Sequence, residues 1–402
     1  MAQYNTETTL NAFYKEVYAD KIQNLIPENI KLLKMIPFQE TDSLGDKYIQ
    51  PVMLAHEHGF SVGTGAFSLN NHIASVNSEA QVDGYQMLLR TAIGYDAADR
   101  MGSSKKSFVK WGDQLFMNML NSMSKRLEIL QLYGRTSLGQ VSANSSGTLT
   151  ITTASWAPGI WAGMVGAELE AYDALSSGSQ HNGTLTVSAV DLGARTVTVT
   201  GTSSSVVAND YLFFKGFYGA EQYGLDAIVT NTGSLYNISA ATYELWKGTS
   251  VSAGSAALTM AKVLNGAAKA AERGCEEDMT LICSNATWAN LNADQSALRE
   301  YDSSYKKEAE NGFGGIKFRG QNGLLEVVPS IYCKQGEAFL FPAKRMKRIG
   351  STDITFNRPG QSEKVFLELP SNAGFELRCR SSQTLFCERP AYTVKFTNIV
   401  NA

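Results

Sequence analysis

One uninterrupted amphipathic segment, from about Ser107 to Tyr133, constrains the fold more than any other part of this sequence. Apolar residues recur along it at helical spacing and form one broad stripe, and Gly134 follows where a helix C-terminal cap belongs. At about 1.5 Å per residue, such a helix would be roughly 40 Å long. The rest of the chain therefore has to pack along one long helix. The stripe consists of Phe108, Trp111, Leu115, Met119, Met123, Leu127 and Leu130.

Two extended segments precede this helix. The first runs from Lys47 to Phe60, the second runs from about Tyr85 to Tyr95, and a polar stretch that contains glycine separates them. We interpret the pair as the two arms of a long hairpin. Because an isolated two-stranded ribbon is only marginally stable in water, the hairpin should pack on another surface. Two short amphipathic runs near the N-terminus, Leu10–Tyr18 and Ile30–Met35, need such a surface for the same reason.

The composition changes after the helix. Residues 136–222 are rich in Ser, Thr and Gly and poor in charge, and residues 185–199 carry the alternation and the turn of a β-hairpin, so we expect a compact β unit. Residues 224–350 alternate predicted helices with predicted strands, and residues 365–396 return to strand periodicity. The predicted elements are a helix over Met260–Arg273 and strands over Met279–Cys283, Leu324–Val328 and Ala338–Phe341.

The composition of the 402-residue chain excludes several classes of protein. Hydrophobic residues make up 44%, which is enough for a real core, and a net charge of −3 gives no basic footprint for nucleic-acid binding. No apolar run is long enough to span a membrane, and the N-terminus lacks the features of a signal peptide. We therefore expect folding in a cytoplasm, where the odd number of cysteines, 5, fits free thiols.

The sequence does not support a catalytic site. The match Gly59-Phe60-Ser61-Val62-Gly63 to the Gly-x-Ser-x-Gly pattern lies within the predicted hairpin and not at the strand-to-helix turn of a nucleophile elbow, and there is no Walker motif, so we expect neither an enzyme nor a cofactor. His56, His58 and His72 are weak candidates for a metal site, but two polar residues on one face of a ribbon is the simpler interpretation. The basic run from Lys344 to Arg348 could contact nucleic acid. In an acidic chain, such a run more often meets carboxylates of a neighbouring subunit or faces solvent.

Four stretches of the sequence carry a resemblance to a known family. They are Asn24-Leu25-Ile26-Pro27-Glu28-Asn29 to Pro37-Phe38, Gly45-Asp46-Lys47-Tyr48 to Gly59-Phe60, Leu132-Tyr133-Gly134, and Cys387-Glu388-Arg389-Pro390-Ala391 to Lys395-Phe396. In this order they resemble the N-arm, the E-loop, the end of the spine helix and the closing P-domain strand of tailed-bacteriophage major capsid proteins with the Hong Kong 97-type fold. The resemblance covers nearly the whole chain except residues 136–222.

The resemblance implies an α+β, Hong Kong 97-like capsid fold with an inserted β-rich domain. We expect the insertion to have a small core of its own and ends that lie close together, and to sit on the outer face of the shell. The alternative is that it pads the core of its own subunit. The implied division is an N-terminal arm (1–46), the E-loop and its base (47–104), the spine helix of the P-domain (105–135), the inserted β-rich domain (136–222), the A-domain (223–350) and returning P-domain strands (351–402).

The implied function is that of a structural subunit that self-assembles into the hexamers and pentamers of an icosahedral phage head around double-stranded DNA. The implied partners are further copies of the chain, a separate scaffolding protein, a portal protein and optional decoration proteins. Packaged DNA would lie nearby without specific contacts, and no membrane is involved. The implied location is the virion capsid, after assembly in the bacterial host cytoplasm. We expect an assembly interface at Tyr48, Val52, Leu54, Phe60, Phe67, Tyr85 and Leu89.

Two alternatives belong to other classes of protein. An encapsulin-like nanocompartment shell shares the fold, but it is expected to lack the insertion. An enzyme built on the α/β segment should show a convergent set of acid, base and nucleophile residues, and the sequence does not show one.

Overall fold

The computed structural model describes most of the chain. The described residues are 30–40, 47–100, 111–181, 183–296, 316–320, 323–357 and 365–401. The amphipathic run predicted at Leu10–Tyr18 and the stripe residue Phe108 lie outside them. Helices and sheets are mixed along the chain, as the predicted α+β class requires. Within the described part of the chain, no helix is both long enough and apolar enough to cross a bilayer.

The chain forms seven described α-helices and twenty-one described strands. The helices are α1 (Leu32–Met35), α2 (Tyr95–Arg100), α3 (Trp111–Tyr133), α4 (Pro158–Trp161), α5 (Leu225–Val229), α6 (Met260–Ala271) and α7 (Asn285–Ser296). The strands are β1 (Phe38–Glu40), β2 (Tyr48–Ala55), β3 (Val76–Val82), β4 (Tyr85–Gly94), β5 (Gly139–Ser145), β6 (Thr148–Ile151), β7 (Glu168–Tyr172), β8 (Leu185–Asp191), β9 (Thr196–Thr200), β10 (Tyr211–Phe214), β11 (Ser234–Leu235), β12 (Ile238–Ser239), β13 (Thr249–Ala256), β14 (Met279–Cys283), β15 (Ile316–Gly320), β16 (Gly323–Pro329), β17 (Ala338–Phe341), β18 (Met346–Thr355), β19 (Phe366–Glu368), β20 (Gly374–Cys387) and β21 (Val394–Ile399).

Helix α3 is the long helix that the apolar stripe predicted. Its 23 residues span about 35 Å. Met119, Met123 and Leu127 are buried, whereas Met117 on another side of the helix is 56% exposed. The buried side faces Leu377 and Cys379 of β20, together with partly buried residues of β4. The predicted stripe is therefore confirmed for the part of the helix whose side chains are described.

A five-stranded sheet lies under α3, and β20 is its central strand. Strand β4 pairs antiparallel with β20 from Gly374↔Gly94 to Gln383↔Tyr85. Strands β18 and β19 pair with the other side of β20, and β1 joins β18 in parallel. The sheet thus brings three distant parts of the sequence together beneath one helix.

The pairing of the predicted hairpin is different from our expectation. Strand β2 pairs with β3, from Tyr48↔Val82 to Ala55↔Val76, while the predicted second arm, Tyr85–Tyr95, supplies β4 of the central sheet. Met87 and Leu89 of β4 gain burial under α3 that a two-stranded ribbon could not offer. The expectation that the second arm begins at Tyr85 was therefore wrong.

Residues 139–214 form a closed barrel with the strand order β10-β5-β6-β9-β8-β7. The predicted hairpin at 185–199 is confirmed as β8 and β9, which pair at Val187↔Val199 and at Asp191↔Thr196. The Asp191 side chain fixes the turn, because its Oδ1 accepts hydrogen bonds from the backbone N–H groups of Gly193 and Ala194. Alternate strand residues such as Val141, Leu149, Leu169, Val187, Val197 and Leu212 fill the interior.

The barrel is joined to the rest of the subunit at its base. The backbone N–H groups of Gln335 and Gly336 donate to the carbonyls of Trp156 and Ala154, and Gly159 N–H donates to Ile331 O. Trp156 and Trp161 stack within the buried base, and the barrel interior is continuous with the main core of the molecule. The small separate core that we expected for residues 136–222 is therefore not fully separate, because on one side it continues into the main core.

The two chain segments that connect the barrel lie against each other at a glycine pair. Gly224 N–H donates to Gly134 O at 3.0 Å. A Cβ atom on Gly134 would lie 2.3 Å from the Gln222 carbonyl oxygen, and one on Gly224 would lie 2.4 Å from Gly134 N. Only glycine fits such a close approach of backbones. Helix α3 ends here, and the segments entering and leaving the barrel meet.

A second sheet of six strands has the order β13-β21-β17-β14-β16-β15. The predicted strands at 279–283, 324–328 and 338–341 are confirmed as β14, β16 and β17, with the predicted bounds for β14 and β17 and one more residue at each end of β16. Helix α6 packs on this sheet through Val263 and Ala267 against Val394 and Phe396. The α/β segment predicted between 224 and 350 is thus completed by the C-terminal strand β21.

Candidate assembly surface

Among the described residues, the hairpin of β2 and β3 is anchored to the rest of the chain along one face of its strands. Ala80 and Val82 are buried, and Tyr48 makes an edge contact with Phe386. The backbone N–H of Gln81 donates to Tyr236 O at 2.9 Å. Val52 and Leu54 are partly buried against the main core. One face of the hairpin base is therefore used by the subunit itself.

The other face of β2 and the tip of the hairpin expose apolar side chains. Val62 is 97% exposed, Phe60 79% and Leu69 78%, which is unusual for large apolar residues so close together in the chain. The remaining exposed apolar residues of the hairpin are Ile49, Met53, Phe67, Ile73 and Val76. Contiguous apolar surface of this kind marks a site of interaction.

The tip, residues 56–75, has a defined shape although it contains no strand. Asn70 is bonded twice across the tip, through its N–H to Ser61 Oγ at 2.7 Å and through its side-chain amide to Phe60 O at 2.8 Å. His58 N–H donates to Ile73 O, and the Phe67 ring packs on Gly63, where a Cβ would lie 2.5 Å from the ring. A shaped apolar tip can fit a complementary surface with little loss of chain entropy.

The seven residues predicted as an interface fall into three groups. Phe60 and Phe67 are exposed on the tip, whereas Tyr48, Val52 and Leu54 face the subunit's own core at the hairpin base. Tyr85 and Leu89 lie in β4: Tyr85 Oη accepts a hydrogen bond from Arg135, and Leu89 packs under α3. Sequence reasoning missed Ile49, Met53, Val62 and Leu69, although the period-two alternation along β2 already placed Ile49 and Met53 opposite Tyr48 and Val52.

The three histidines of the hairpin do not form a metal site. His56, His58 and His72 are all exposed. Within the described ranges, no three His, Cys, Asp or Glu side chains lie close enough together to hold a metal ion. The hydrogen bond from His58 N–H to Ile73 O joins the two chain segments of the tip, but it does not bring the imidazole rings together. The described residues therefore do not place these three imidazoles together as metal ligands.

The basic run at 344–348 is paired within its own chain. Lys344 bonds to Asp278 at 3.3 Å, Arg345 to Glu277 at 2.8 Å and to Glu388 at 3.4 Å. The remaining cations of the run are paired in the same way, Lys347 with Glu388 and Arg348 with Asp353. The carboxylates that we expected from a neighbouring subunit are supplied by the subunit itself, and contact with nucleic acid has no support here.

A different basic surface lies on the side of the central sheet that faces away from α3. Arg90 of β4 and Arg378 of β20 are directly opposite each other, and both are exposed. Arg380 is the next residue of β20 on the same side. Like charges placed directly across two strands destabilise a sheet unless an opposite charge is close. Glu376 supplies one such charge by bonding to Arg378 Nε at 2.8 Å. We call Arg90, Arg378 and Arg380 the arginine face.

The five cysteines are all buried and free. Burial raises the pKa of the Cys333 and Cys387 thiols to about 12. A thiolate is the reactive form of cysteine, so these two side chains serve packing.

Comparison with known proteins shows what the whole fold is similar to. No protein-family model matches the chain, and no curated protein matches it in sequence. Among solved structures, a chain of the capsid asymmetric unit of cyanophage A-1(L) is similar with a TM-score of 0.62 at 12% identity, covering 98% of this chain and 99% of that chain.

Two further solved structures agree. A chain of the capsid of an empty GTA particle has a TM-score of 0.54 at 7% identity and covers 99% of this chain and 100% of that chain. A chain of the capsid of cyanophage P-SCSP1u has a TM-score of 0.50 at 10% identity and covers 98% and 95% of the two chains. At such low identities the similarity defines the fold, and it extends over the full length. The chain has the phage major capsid protein fold that the sequence resemblance implied.

Proposed function

We propose that this chain is the structural subunit of an icosahedral phage head, in which its hexamers and pentamers enclose double-stranded DNA. The observation that carries the proposal is the capsid fold over the full length of the chain. A structural rather than a catalytic role agrees with the surface of the subunit, whose most distinctive feature is exposed apolar area on a projecting hairpin.

The hairpin supports self-assembly because no described residue of the subunit covers the apolar side chains of its tip. Burying one large apolar side chain stabilises an interface by about 2 kcal/mol, and the tip exposes several. The occupant of that contact is a second copy of the chain. Each subunit then covers the tip of one neighbour while its own tip is covered by another, which generates closed rings.

Charge complementarity supports the arginine face as the surface that receives the hairpin. Residues 48–83 contain Glu57, Glu79 and Asp83 and no lysine or arginine; Asp83 pairs with Lys47 at 3.8 Å, so Glu57 and Glu79 carry the acidic charge of the hairpin. The arginine face has three cations, and Glu376 pairs with one of them, Arg378. Leu88, which lies beside the arginine face, is 51% exposed. An acidic, apolar hairpin and a basic sheet face with an exposed leucine fit each other chemically.

The remaining parts of the proposal follow the division of the chain expected from its sequence, with two changes: the hairpin arm ends at Val82, and β21 joins the sheet of the α/β segment instead of the returning P-domain strands. The barrel occupies the outer face of the head, where it avoids the packaged DNA. A separate scaffolding protein, a portal protein and optional decoration proteins complete the particle, which assembles in the cytoplasm of a bacterial host. The meeting of both connecting segments at Gly134 and Gly224 supports the barrel as an insertion, because the two ends of an insertion must emerge together.

Substituting one residue of the tip tests the proposal. In Val62→Lys, the new charge lies on a side chain that is 97% exposed, so the subunit should fold and unfold as the wild type does. Assembly should fail, because the new cation would be brought against the cations of the arginine face. Analytical ultracentrifugation measures both free subunits and shells. Leu192→Lys, at the turn of the β8–β9 hairpin and 46% exposed, is the matched control and should assemble normally.

Wild-type shell yields from the Val62→Lys variant would show that the tip is not part of the contact. Loss of shells from both variants would show that any added charge prevents assembly, and it would remove the support that the hairpin gives.

A further inference from the structure

A buried cluster of two amines and two carboxyls lies where α5, β17 and the C-terminal strand β21 meet. Lys395 of β21 stands between Asp226 of α5, at 2.5 Å, and Glu337, which precedes β17, at 2.7 Å. The Lys395 side chain is 8% exposed and the Asp226 side chain 7%. Lys334 lies beside them, donates to Ser137 O at 2.7 Å and covers the Tyr133 ring. Lys395 and Asp226 are thus closed off from solvent by the core, whereas the Glu337 side chain is 21% exposed and forms the side of the cluster nearer the surface.

Glu337 uses only one of its two carboxyl oxygens in the ion pair with Lys395. Its Oε1 contacts Lys395, while its buried Oε2 has no hydrogen-bond partner among the described residues. A buried carboxylate oxygen without a donor is costly, and a proton on it lowers the cost. Burial raises the pKa of the Glu337 carboxyl, and the Asp226 carboxylate adds to the effect. Glu337 can therefore hold a proton next to the Lys395 amine.

From this arrangement, we propose that Lys395 and Asp226 condense into an isopeptide bond inside the folded subunit, with Glu337 as the proton carrier. An amine in contact with a carboxylate oxygen stands roughly 3.5 Å or less from the carboxylate carbon, which is the distance of a near-attack conformation. Held there, the two groups react as if at an effective concentration on the order of 10⁵ M or more. The proposal stands apart from shell assembly, because all three residues belong to one chain.

The step balances within the cluster. Lys395 begins as an ammonium and passes one proton to Glu337. Its free electron pair forms a C–N bond to Cγ of Asp226, and one C–O bond of that carboxyl breaks. The departing oxygen leaves as water with two protons that came from the Lys395 nitrogen, and Glu337 returns to its starting state. No oxidant, reductant or metal takes part.

The charge left behind also balances. Before the reaction, the cluster holds two cations and two anions; afterwards it holds the Lys334 cation and the Glu337 anion. Burial lowers the pKa of the Lys334 amine, although the nearby carboxylates oppose this. For Lys395, burial also acts to lower the pKa, but Asp226 and Glu337 outweigh it, so the starting state is an ion pair. The transfer to Glu337 is therefore the step that the protein has to make possible.

The burial of Lys395 and Asp226 favours an amide between them over an ion pair. Val394 and Phe396, the neighbours of Lys395 in β21, are fully buried, and the Phe339 ring lies 5.7 Å from Nζ. Removing a desolvated ion pair relieves its burial penalty, and water that leaves a closed core does not readily return to hydrolyse the bond. The bond would tie the C-terminal strand to α5 across 169 residues of chain.

The mass of the denatured full-length chain tests the proposal. The wild type should weigh less than its sequence by one water. After trypsin, the linked species should join Gly216–Lys247 to Ser381–Ala402, because a modified Lys395 is not cleaved and Arg389 precedes a proline. Glu337→Gln, which keeps the side-chain volume but cannot carry the proton, should have its full sequence mass while keeping a wild-type circular dichroism spectrum. Lys395→Arg keeps the positive charge, cannot form the bond, and should also keep its full mass.

Three results would overturn the inference. The first is a folded wild-type chain at its full sequence mass. The second is a loss of water with the Asp226 and Lys395 peptides recovered separately, since the dehydration then lies elsewhere. A linked Glu337→Gln chain would remove Glu337 from its assigned role. Shell formation has no bearing on any of these readouts, so a failure here and a failure of the capsid proposal are distinguishable.

Discussion

Buried charged residues fasten the parts of this subunit to one another. Glu128 of α3 accepts hydrogen bonds from the backbone N–H groups of Lys31, Leu32 and Leu33 at 3.0, 2.8 and 2.7 Å, so it holds α1 against the long helix. Glu221 accepts from the Arg135 N–H at 2.9 Å beside the Gly134–Gly224 contact. Each carboxylate satisfies backbone donors that would otherwise be buried without a partner.

The sequence could not predict either role. Glu128 and Glu221 are charged residues within or beside apolar runs, and their hydrogen-bond partners lie 86 to 97 residues away in the chain. Local periodicity carries no information about contacts over such a distance. The same holds for Lys395, whose partners Asp226 and Glu337 come from separate elements.

Glu221 makes stability depend on pH in a way that can be measured. Burial raises its pKa from 4.5 to about 8, against the opposing effect of the Arg135 N–H and the nearby arginines. Between these two values the folded chain holds a proton that the unfolded chain has lost, so this contribution to stability falls as the pH rises. It is fully present below about pH 4.5 and lost above about pH 8.

The variant Glu221→Gln mimics the protonated acid and should lack this loss. We expect it to match the wild type near pH 4 and to exceed it well above pH 8 by several kcal/mol, roughly 5 for a pKa raised from 4.5 to about 8, measured by urea unfolding. Glu168→Gln, which removes an exposed pair with Lys215, is the control and should change stability by less than about 1 kcal/mol at every pH. Parallel pH profiles for Glu221→Gln and the wild type would contradict the assignment.

At the scale of elements, the long helix could be predicted and the partner of the first hairpin strand could not. A stripe repeated over many turns identifies a helix and its buried side from local spacing alone. Strand pairing depends on which apolar faces meet in space. Tyr85–Gly94 has the alternation of a hairpin arm, but its apolar face is buried against β20 and α3, which sequence spacing does not show.

Helix α3 offers a matched pair of substitutions that tests its buried face. Met123 is 1% exposed and Met117 56%, on the same helix. Met123→Asp would bury an unpaired charge and should cost about 3 kcal/mol or more, giving insoluble or unfolded subunits. Met117→Asp should change the free energy of unfolding by less than about 0.5 kcal/mol. Urea unfolding of the soluble variants, with soluble yield for the others, measures the difference, and equal effects would refute the placement of the helix face.

At the scale of the whole molecule, the order of elements was the most informative part of the sequence. An arm, a hairpin, a long helix, a β-rich unit and an α/β segment with returning strands each had a local signature, and together they implied the capsid fold that the solved structures show. The continuity between the barrel base and the main core had no such signature. It depends on backbone hydrogen bonds between residues near 156 and residues near 335.

We expect a subunit whose hairpin tip is covered by no described residue to be complete only in contact with copies of itself. Cryo-electron microscopy of the full chain, expressed alone in bacteria and concentrated, tests this most directly. The predicted result is closed icosahedral shells of hexamers and pentamers, with each hairpin tip seated on a neighbouring subunit and barrel density on the outside. A population that stays monomeric at high concentration, or shells in which every tip points into solvent, would contradict it.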